Sequence, residues 1–360
     1  MKNTYIAYYL IMCFMFYSCH GNKDDNFPKN IILMIGDGMG LSQISAAMYA
    51  NGGELNLEKA THIGFIKTHS GSSIITDSAA GATAFSTGEK TYNGSINMNM
   101  DSLPLVPITQ ILHSANIKTG ILATSSVTHA TPACFYGNQI NRYGVHEELA
   151  KQFLKSNINV LIGGGEKYFN QRSDKLNLFD SLKNLNYTII DSIIDPISYS
   201  TEKLINFCSP KEPFAKNKGR GDFLTIATQK ALSVLNTNNK NGFFLMIEGS
   251  QIDWGGHDMD SDYIISETID FDHAIEKVLD FAQKDKNTLV IITADHETGG
   301  YGITGGNVNN NTVITQFLND DHTATMVPVY AFGPGANTFM GTYDNTDIHQ
   351  KILFNFKINY

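Results

Sequence analysis

Six short apolar runs, each followed by turn-forming residues, most strongly limit what this chain can fold into. Runs that are apolar throughout are typical of strands buried on both faces of a sheet. Segments with a helical spacing of apolar residues lie between them, and this alternation predicts a mostly parallel sheet covered by helices on both faces. We therefore predict an α/β fold of the three-layer sandwich type. The apolar runs are residues 31–35, 120–123, 160–162, 243–247, 289–292 and 327–332, and the helical segments are residues 41–49, 108–114, 147–153, 223–235 and 265–283.

A single domain is predicted to extend from residue 30 to residue 360, because the apolar runs recur throughout this range without an internal repeat. Two polar, Asn-rich stretches, residues 170–217 and 305–320, are interpreted as loops or small insertions rather than as separate domains. The sequence therefore predicts one α/β domain large enough to bury a full core.

The N-terminal residues predict export. Residues 1–18 hold a single charge, Lys2, and their apolar run of residues 5–17 is too short to span a bilayer, which is typical of a signal peptide. The run ends at Cys19, and this resembles the processing site of a bacterial lipoprotein, in which Cys19 would carry the lipid; a plain signal peptide cut nearby is the alternative. Residues 19–29 then read as a tether. We expect the protein in the bacterial periplasm or anchored to a membrane as a lipoprotein.

Charge and cysteine content limit the possible partners. The formal net charge of -9 predicts no binding of nucleic acid, and an anionic substrate would need local capture by metal ions or an arginine. Beyond Cys19 only Cys134 and Cys208 remain in the predicted mature chain, which excludes a disulfide framework. Whether these two cysteines pair is left open by the sequence.

Polar residues follow several of the predicted strands at the edge where parallel sheets place their functional groups. Asp37, Glu248 and Asp295 each follow an apolar run, and Thr131 lies in a loop after another. His296, directly after Asp295, makes a carboxylate and imidazole pair that suits a divalent metal better than it suits a core. The alternative is an aspartate that caps a turn beside a surface histidine.

A second group of possible ligands lies within residues 248–257. Asp253 and His257 are four residues apart, so one helical turn would place both side chains on one face. In a loop made flexible by Gly255 and Gly256 they could converge equally well. The alternative is the start of a capped helix with a solvated aspartate and histidine.

Ser78 is a candidate nucleophile. It precedes a run of small residues, which suits a hydroxyl at a helix N-terminus that a substrate must approach closely. Free backbone N–H groups there would also receive anionic oxygens. The alternative is an ordinary helix start, in which Asp77 or Ser78 caps the first turn.

The segments that contain these residues, with one more near the C-terminus, resemble successive signature blocks of the alkaline phosphatase family. The blocks occur in the family's order and extend from about Asn30 to the end of the chain, and six in sequence are far more specific than any one. They are residues 30–40 (NIILMIGDGMG), 78–94 (which includes TGEKTYNG), 128–132 (THATP), 248–257 (EGSQIDWGGH), 294–300 (ADHETGG) and 321–324 (DHTA).

The resemblance implies hydrolysis of small phosphate monoesters by two zinc ions and one magnesium ion, with Ser78 as the phosphorylated nucleophile and Arg142 as the clamp on the phosphate. Arg142 follows Thr131 by eleven residues, and the alternative is a surface arginine. The implied metal ligands are Asp253, His257 and His322 for one zinc, Asp37, Asp295 and His296 for the other, and Asp37, Thr131 and Glu248 for magnesium.

General chemistry assigns the metals in the same way. Zinc accepts imidazole ligands, whereas magnesium prefers an all-oxygen set such as Asp37, Thr131 and Glu248. A serine hydroxyl is a weak nucleophile until a metal lowers its pKa, and two metals about 4 Å apart suit both halves of an in-line displacement. The planar guanidinium of Arg142 can grip two phosphate oxygens at once.

Two further positions differ between members of the family. His129, two residues before Thr131, and Trp254, directly after Asp253, form a pair that resembles that of some marine bacterial enzymes. We predict that they do not bind a metal ion themselves but adjust magnesium affinity and product release. Asp77 is likewise expected to lie next to the ligands without being one of them.

The segment between His296 and His322 holds only 25 residues, where many family members carry a large insertion that forms a crown over the dimer. A reduced crown is predicted, so a homodimer would have to rely on other surfaces.

Three other functions fit the sequence less well. A phosphodiesterase on the same scaffold would share the two-zinc ligands, but Ser78 replaces the threonine usual there, and Thr131, Glu248 and Arg142 occur together. A sulfatase is disfavoured because the segment after Ser78 lacks the Pro and Arg of its modified-residue motif. A catalytically inactive lipoprotein that binds phosphate or metal is disfavoured because every matched catalytic position is filled.

Overall fold

The structure is a computed structural model that describes residues 27–198 and 200–359. The predicted signal peptide, Cys19 and most of the predicted tether lie outside the described residues. The strands are β1 (Asn30–Gly36), β2 (His62–Lys67), β3 (Lys118–Ser126), β4 (Val160–Gly164), β5 (Thr188–Ile190), β6 (Leu204–Ser209), β7 (Phe243–Gly249), β8 (Thr288–Thr293), β9 (Glu297–Thr298), β10 (Gly302–Asn307), β11 (Thr312–Gln316), β12 (His322–Thr323), β13 (Val327–Phe332) and β14 (Gly341–Asp344).

Eleven α-helices and three short 3-10 helices accompany the strands within the described ranges. The helices are α1 (Leu41–Ala50), α2 (Ser78–Thr87), α3 (Ile108–Ser114), α4 (Ala130–Ala133), α5 (His146–Phe153), α6 (Lys167–Asn170), α7 (Phe179–Asn184), α8 (Phe223–Asn236), α9 (Gln251–His257), α10 (Ser261–Asp285) and α11 (Asp347–Asn355), and the 3-10 helices are Asn56–Lys59, Lys216–Lys218 and Ala336–Phe339.

Ten strands form one central sheet in the order β14-β2-β13-β8-β1-β7-β3-β4-β6-β5. Within it, β13 runs antiparallel to both of its neighbours, and the other pairs are parallel. Helices flank the sheet, which confirms the predicted α/β three-layer sandwich. Two small antiparallel pairs, β10 with β11 and β9 with β12, lie outside it.

The register of the central strands brings their polar ends to one level. Every residue of β1, β7 and β8 is buried, as strands covered by helices on both faces must be. Ile35 of β1 lies opposite Glu248 on one side and Thr293 on the other. Asp37 and Asp295, each two residues beyond this level, therefore emerge beside Glu248 at the carboxyl edge.

All six apolar runs lie in strands of the central sheet, and the predicted helical segments lie in α1, α3, α5, α8 and α10. The interpretation of residues 170–217 as loops or insertions was incomplete, because this stretch also contributes β5 and β6 to the sheet. The segment between His296 and His322 holds the short β10–β11 hairpin, in the place where the sequence predicts a reduced crown.

Two remaining expectations concern cysteines and the membrane. Cys134, which is buried, and Cys208, which is half-buried, are both free thiols. Among the described residues, no helix combines the length and the apolar content that crossing a bilayer requires.

Candidate functional site

The candidate nucleophile lies at the start of α2, held by the residue before it. One carboxylate oxygen of Asp77 accepts a hydrogen bond from the N–H of Ala80 at 3.0 Å and so caps the helix. The other accepts from the N–H of Gly94 at 3.0 Å and faces Nη1 of Arg142 at 3.4 Å. Asp77 therefore fixes the position of Ser78 and Arg142 together.

The small residues of α2 allow this helix to approach the metal-ligand candidates. A Cβ atom on Gly81 would lie 3.0 Å from the Cβ of Asp295, tighter than an ordinary van der Waals contact. Ser78 Oγ lies 3.4 Å from Nε2 of His296. The helix start is thus in direct contact with the end of β8.

A first acid and histidine cluster consists of Asp37, Asp295 and His296, whose ligand atoms lie within 4.8 Å of one another. His296 Nε2 is 3.2 Å from Asp295 Oδ2 and 3.5 Å from Asp37 Oδ1. All three side chains are completely buried. Burial, and then the nearby carboxylates, raise the pKa of Asp37 well above its ordinary value. Burial acts on Asp295 in the same direction, but His296 beside it keeps the pKa of Asp295 lowered.

A second cluster consists of Asp253, His257 and His322, again with ligand atoms within 4.8 Å. Nε2 of His257 and Nε2 of His322 lie 3.2 Å apart, and each is within 3.4 Å of an Asp253 oxygen. The Nδ1 atoms lie 2.7 and 2.8 Å from the carbonyl oxygens of Asp320 and Thr76. This pairing favours the tautomer in which both Nε2 lone pairs point into the cluster, as metal-binding histidines require.

A third group consists of oxygen donors alone. Thr131 and Glu248 are both fully buried, Thr131 at the start of α4 and Glu248 near the end of β7. Oγ1 of Thr131 and Oε1 of Glu248 have no hydrogen-bond partner among the described residues. Burial raises the pKa of Glu248 to about 8.

Unpaired oxygens are the feature that the first cluster and the oxygen-only group share. Both oxygens of Asp37 and Oδ2 of Asp295 also lack a hydrogen-bond partner in the described part of the chain. Buried polar atoms without partners are costly and rare in native proteins, and buried carboxylates need a cation. The donor chemistry fits divalent metals, with imidazole in two clusters and only oxygen in the third.

Arg142, His129 and Trp254 form the rim of the site. Nη2 of Arg142 lies 3.4 Å from Nε2 of His129, whose ring meets that of Trp254 edge-on at 5.8 Å between centroids. Burial lowers the pKa of His129 to about 3, which keeps the ring neutral beside the guanidinium. These three residues, with Ser78 and His257, line a cavity of about 640 Å³. This volume suits a small phosphate ester.

Every site residue predicted from the sequence, apart from Cys19, lies in this region of the described structure. One contributor was missed. Thr298 Oγ1 donates to Asp253 Oδ1 at 2.5 Å and lies 3.2 Å from Nδ1 of His296, so it joins the two histidine-bearing clusters. Its position two residues after His296, within residues 294–300, is the sequence feature that could have identified Thr298.

Comparison with known proteins gives one consistent family. The family model described as alkaline phosphatase matches residues 28–320. Alkaline phosphatase 3 of Bacillus subtilis is 31% identical, with 94% of this chain and 92% of that protein aligned. Alkaline phosphatase of Escherichia coli K12 is 30% identical, over 90% of this chain and 85% of that protein.

Among solved structures, the alkaline phosphatase from the Antarctic bacterium TAB5 is 44% identical. The similarity covers 93% of this chain and 100% of that one, with a TM-score of 0.88. Variants of the TAB5 enzyme were solved with magnesium bound in a third metal site.

Replacement of Glu248 by glutamine tests how much the buried, ionised carboxylate destabilises the metal-free protein. The raised pKa of Glu248, about 8 against an ordinary 4.5, means that the folded state binds this proton more tightly than the unfolded chain. The metal-free protein should therefore lose stability as the pH rises between these two values. We expect Glu248→Gln to raise the free energy of unfolding at pH 8 by on the order of 2 kcal/mol, with little effect at pH 5.

Urea unfolding of the chelated protein, followed by circular dichroism at both pH values, measures this difference. Glu54→Gln is the matched control, because Glu54 is exposed and its replacement should change little at either pH. A Glu248→Gln protein that is no more stable than the parent at pH 8 would contradict the assignment of strain to this carboxylate.

Proposed function

This chain belongs to the alkaline phosphatase family and hydrolyses phosphate monoesters, and we propose that it does so through a covalent phosphoserine on Ser78. The observation that carries the proposal is the position of Ser78. Its hydroxyl lies 3.4 Å from Nε2 of His296, in the cluster where oxygens of Asp37 and Asp295 lack hydrogen-bond partners among the described residues. Ser78 also lines one cavity with the second cluster, Asp253, His257 and His322. Such an arrangement suits a nucleophile that works with bound cations.

The proposed cofactors are two zinc ions and one magnesium ion. Zinc is assigned to the two clusters that contain imidazole. Magnesium is assigned to Thr131 and Glu248, with Asp37 as a shared ligand, because Glu248 lies close enough to Asp37 that, after burial, its carboxylate contributes to the raised pKa of Asp37. When bound, such metals lower the pKa of a serine hydroxyl and of water and offset the charge on the leaving oxygen.

Ser78 performs the bond-making step in this proposal. Its Oγ forms a bond to phosphorus as the ester bond breaks and the alcohol leaves, and a water molecule then cleaves the phosphoserine to give inorganic phosphate. Oγ lies at the N-terminus of α2, where the first backbone N–H groups favour the charge of the transferred group. Asp77 keeps this end of the helix in place through its hydrogen bond to Ala80.

Arg142 is proposed to orient the phosphate. The side chain is mostly buried and lines the cavity next to Ser78, and Asp77 and His129 hold it from two sides. A fixed, planar guanidinium can bind two non-bridging oxygens, which are available on a monoester dianion.

We also propose that the protein is exported, with a lipid on Cys19 as its membrane anchor, and that it acts on small phosphomonoesters as a homodimer. The support for export lies in residues 1–19. The short β10–β11 hairpin supports a dimer interface that does not depend on a large crown.

A phosphodiesterase is the second candidate, since it would use the same two zinc sites. The monoesterase is favoured over it by the unpaired oxygens of Thr131 and Glu248, which would suit a third cation, together with Arg142 in the same region. An inactive phosphate- or metal-binding lipoprotein is the third, and it would leave the preserved nucleophile and arginine without a role.

Hydrolysis of an aryl phosphate monoester and of the matching diester by the purified protein tests the proposed function. We expect a higher kcat/KM for the monoester, loss of activity on chelation, and its return with zinc plus magnesium. Ser78→Ala should lower monoesterase kcat about a thousandfold or more, because the attacking oxygen is gone.

Ser45→Ala is the matched control, since Ser45 bonds only within its own helix, to the carbonyl of Leu41. Higher efficiency on the diester, or full monoesterase activity in Ser78→Ala, would overturn the proposal. Mass spectrometry of acid-quenched enzyme adds a direct check, because a phosphoryl group should be found on the peptide that contains Ser78.

We further propose that His129 and Trp254 tune metal affinity and product release without touching a metal ion. A carboxylate in His129→Asp would add an anion near the magnesium group, and we expect magnesium affinity to rise about tenfold. A cation in Trp254→Lys would hold the phosphate product more tightly, and we expect kcat to fall several-fold. Titration calorimetry with magnesium and steady-state kinetics measure both effects. If affinity and turnover are unchanged in both variants, neither residue has this role.

A further inference from the structure

A second cavity adjoins the catalytic one, and neither Ser78 nor Arg142 lines it. It measures about 440 Å³, and it shares the walls Trp254 and His257 with the cavity around Ser78. Its other side is formed by Phe214, Lys218 and Asp258. A group that extends from an ester oxygen at Ser78 past Trp254 would enter this space.

Phe214 is the unusual feature of this cavity. Its side chain is 74% exposed, although its neighbours Pro213 and Ala215 are both buried. A phenylalanine that stays this exposed gains little from folding, whereas it can gain from a bound apolar or aromatic group that covers it.

The backbone around Phe214 is fixed by buried polar groups. Gln251 Nε2 donates to the carbonyl of Pro213 at 3.0 Å, and Arg220 Nη1 donates to the carbonyl of Phe214 itself at 3.2 Å. Arg220 is in turn held by Glu267 and Asp270, and all three of these side chains are at least 97% buried. The exposed ring therefore stands on a segment whose position is set before any ligand binds.

We propose that Phe214 and Trp254 form a subsite for the base of a nucleoside 5′-monophosphate, whose phosphate occupies the catalytic site. This inference rests on the proposed function, because it names the substrate class of the same site. The cavity does not include Ser78, so a ring joined directly to the ester oxygen would stay in the catalytic cavity. We infer that a base separated from the phosphate by a ribose extends past Trp254, a wall that both cavities share, toward Phe214.

The remaining walls match the polar parts of a nucleoside. Lys218 is exposed, lies over the ring of Tyr263 at 5.5 Å from its centroid, and can donate to base nitrogens or oxygens. Asp258, also exposed, can accept from ribose hydroxyls or from an exocyclic amine. Aromatic side chains bind any base face by stacking, so selection among bases should be weak.

Two substrates with the same leaving group isolate the contribution of the base. Adenosine 5′-monophosphate and ribose 5-phosphate both release a primary ribose 5′-hydroxyl, and only the first carries a base. We expect kcat/KM for adenosine 5′-monophosphate to exceed that for ribose 5-phosphate, mainly through KM. Phe214→Ala should lower this ratio about fivefold or more, and Phe214→Trp should retain it.

Two further variants show whether the effect is specific to Phe214. Phe354→Ala is the control, because Phe354 packs on Phe27, just before the opposite end of β1, and it should leave both efficiencies unchanged. Tyr143→Ala removes an exposed ring that lines the catalytic cavity but not the second cavity. A ratio that falls with Tyr143→Ala and not with Phe214→Ala would overturn the assignment.

A third substrate separates a nucleoside from an aryl group. The efficiency on O-phosphotyrosine should fall much less in Phe214→Ala than the efficiency on adenosine 5′-monophosphate; a larger fall would mean that the occupant is an aryl ester and would refute the nucleoside assignment. Equal values of kcat/KM for adenosine 5′-monophosphate and ribose 5-phosphate in the parent enzyme would also refute it. These results differ from failure of the proposed function, in which ribose 5-phosphate itself would not be hydrolysed.

Discussion

The mutual repulsion of carboxylates at the carboxyl edge of the sheet is the constraint on which the rest of this structure depends. Asp37, Glu248, Asp253 and Asp295 are buried together, and several of their oxygens have no partner among the described residues. Nothing in an apolar core compensates such a concentration of negative charge. Divalent cations would compensate this charge. The imidazoles and the threonine hydroxyl near the carboxylates are suitable additional ligands for such cations.

The central sheet delivers this arrangement because its strands are apolar along their length and polar only at one end. The parallel register of β1, β7 and β8 brings three carboxylates to one edge, and helix α2 approaches that edge through small residues. Asp77 links the proposed nucleophile to the proposed phosphate-binding arginine, because the same carboxylate caps the helix of Ser78 and faces Arg142. The same residues therefore matter for folding and for the proposed chemistry. The fold positions the carboxylates, and bound cations would offset their negative charge.

Much of this could be predicted from the sequence, since buried strands and their terminal carboxylates are local features. The edge strands β14 and β5, and β2 next to β14, could not be predicted, because their partly exposed residues lack a continuous apolar pattern. His322 is distant in sequence from Asp253, and only the family resemblance joined them. Thr298 and Phe214 were missed because their importance depends on neighbours that tertiary packing brings to them.

Anomalous diffraction from crystals grown with zinc tests the central claim most directly. Data collected on both sides of the zinc absorption edge should give two strong difference peaks, one among Asp253, His257 and His322 and the other among Asp37, Asp295 and His296. The second peak should lie beside the hydroxyl of Ser78. A single peak, or peaks outside these two clusters, would contradict the account that buried acid and histidine groups are compensated by two cations.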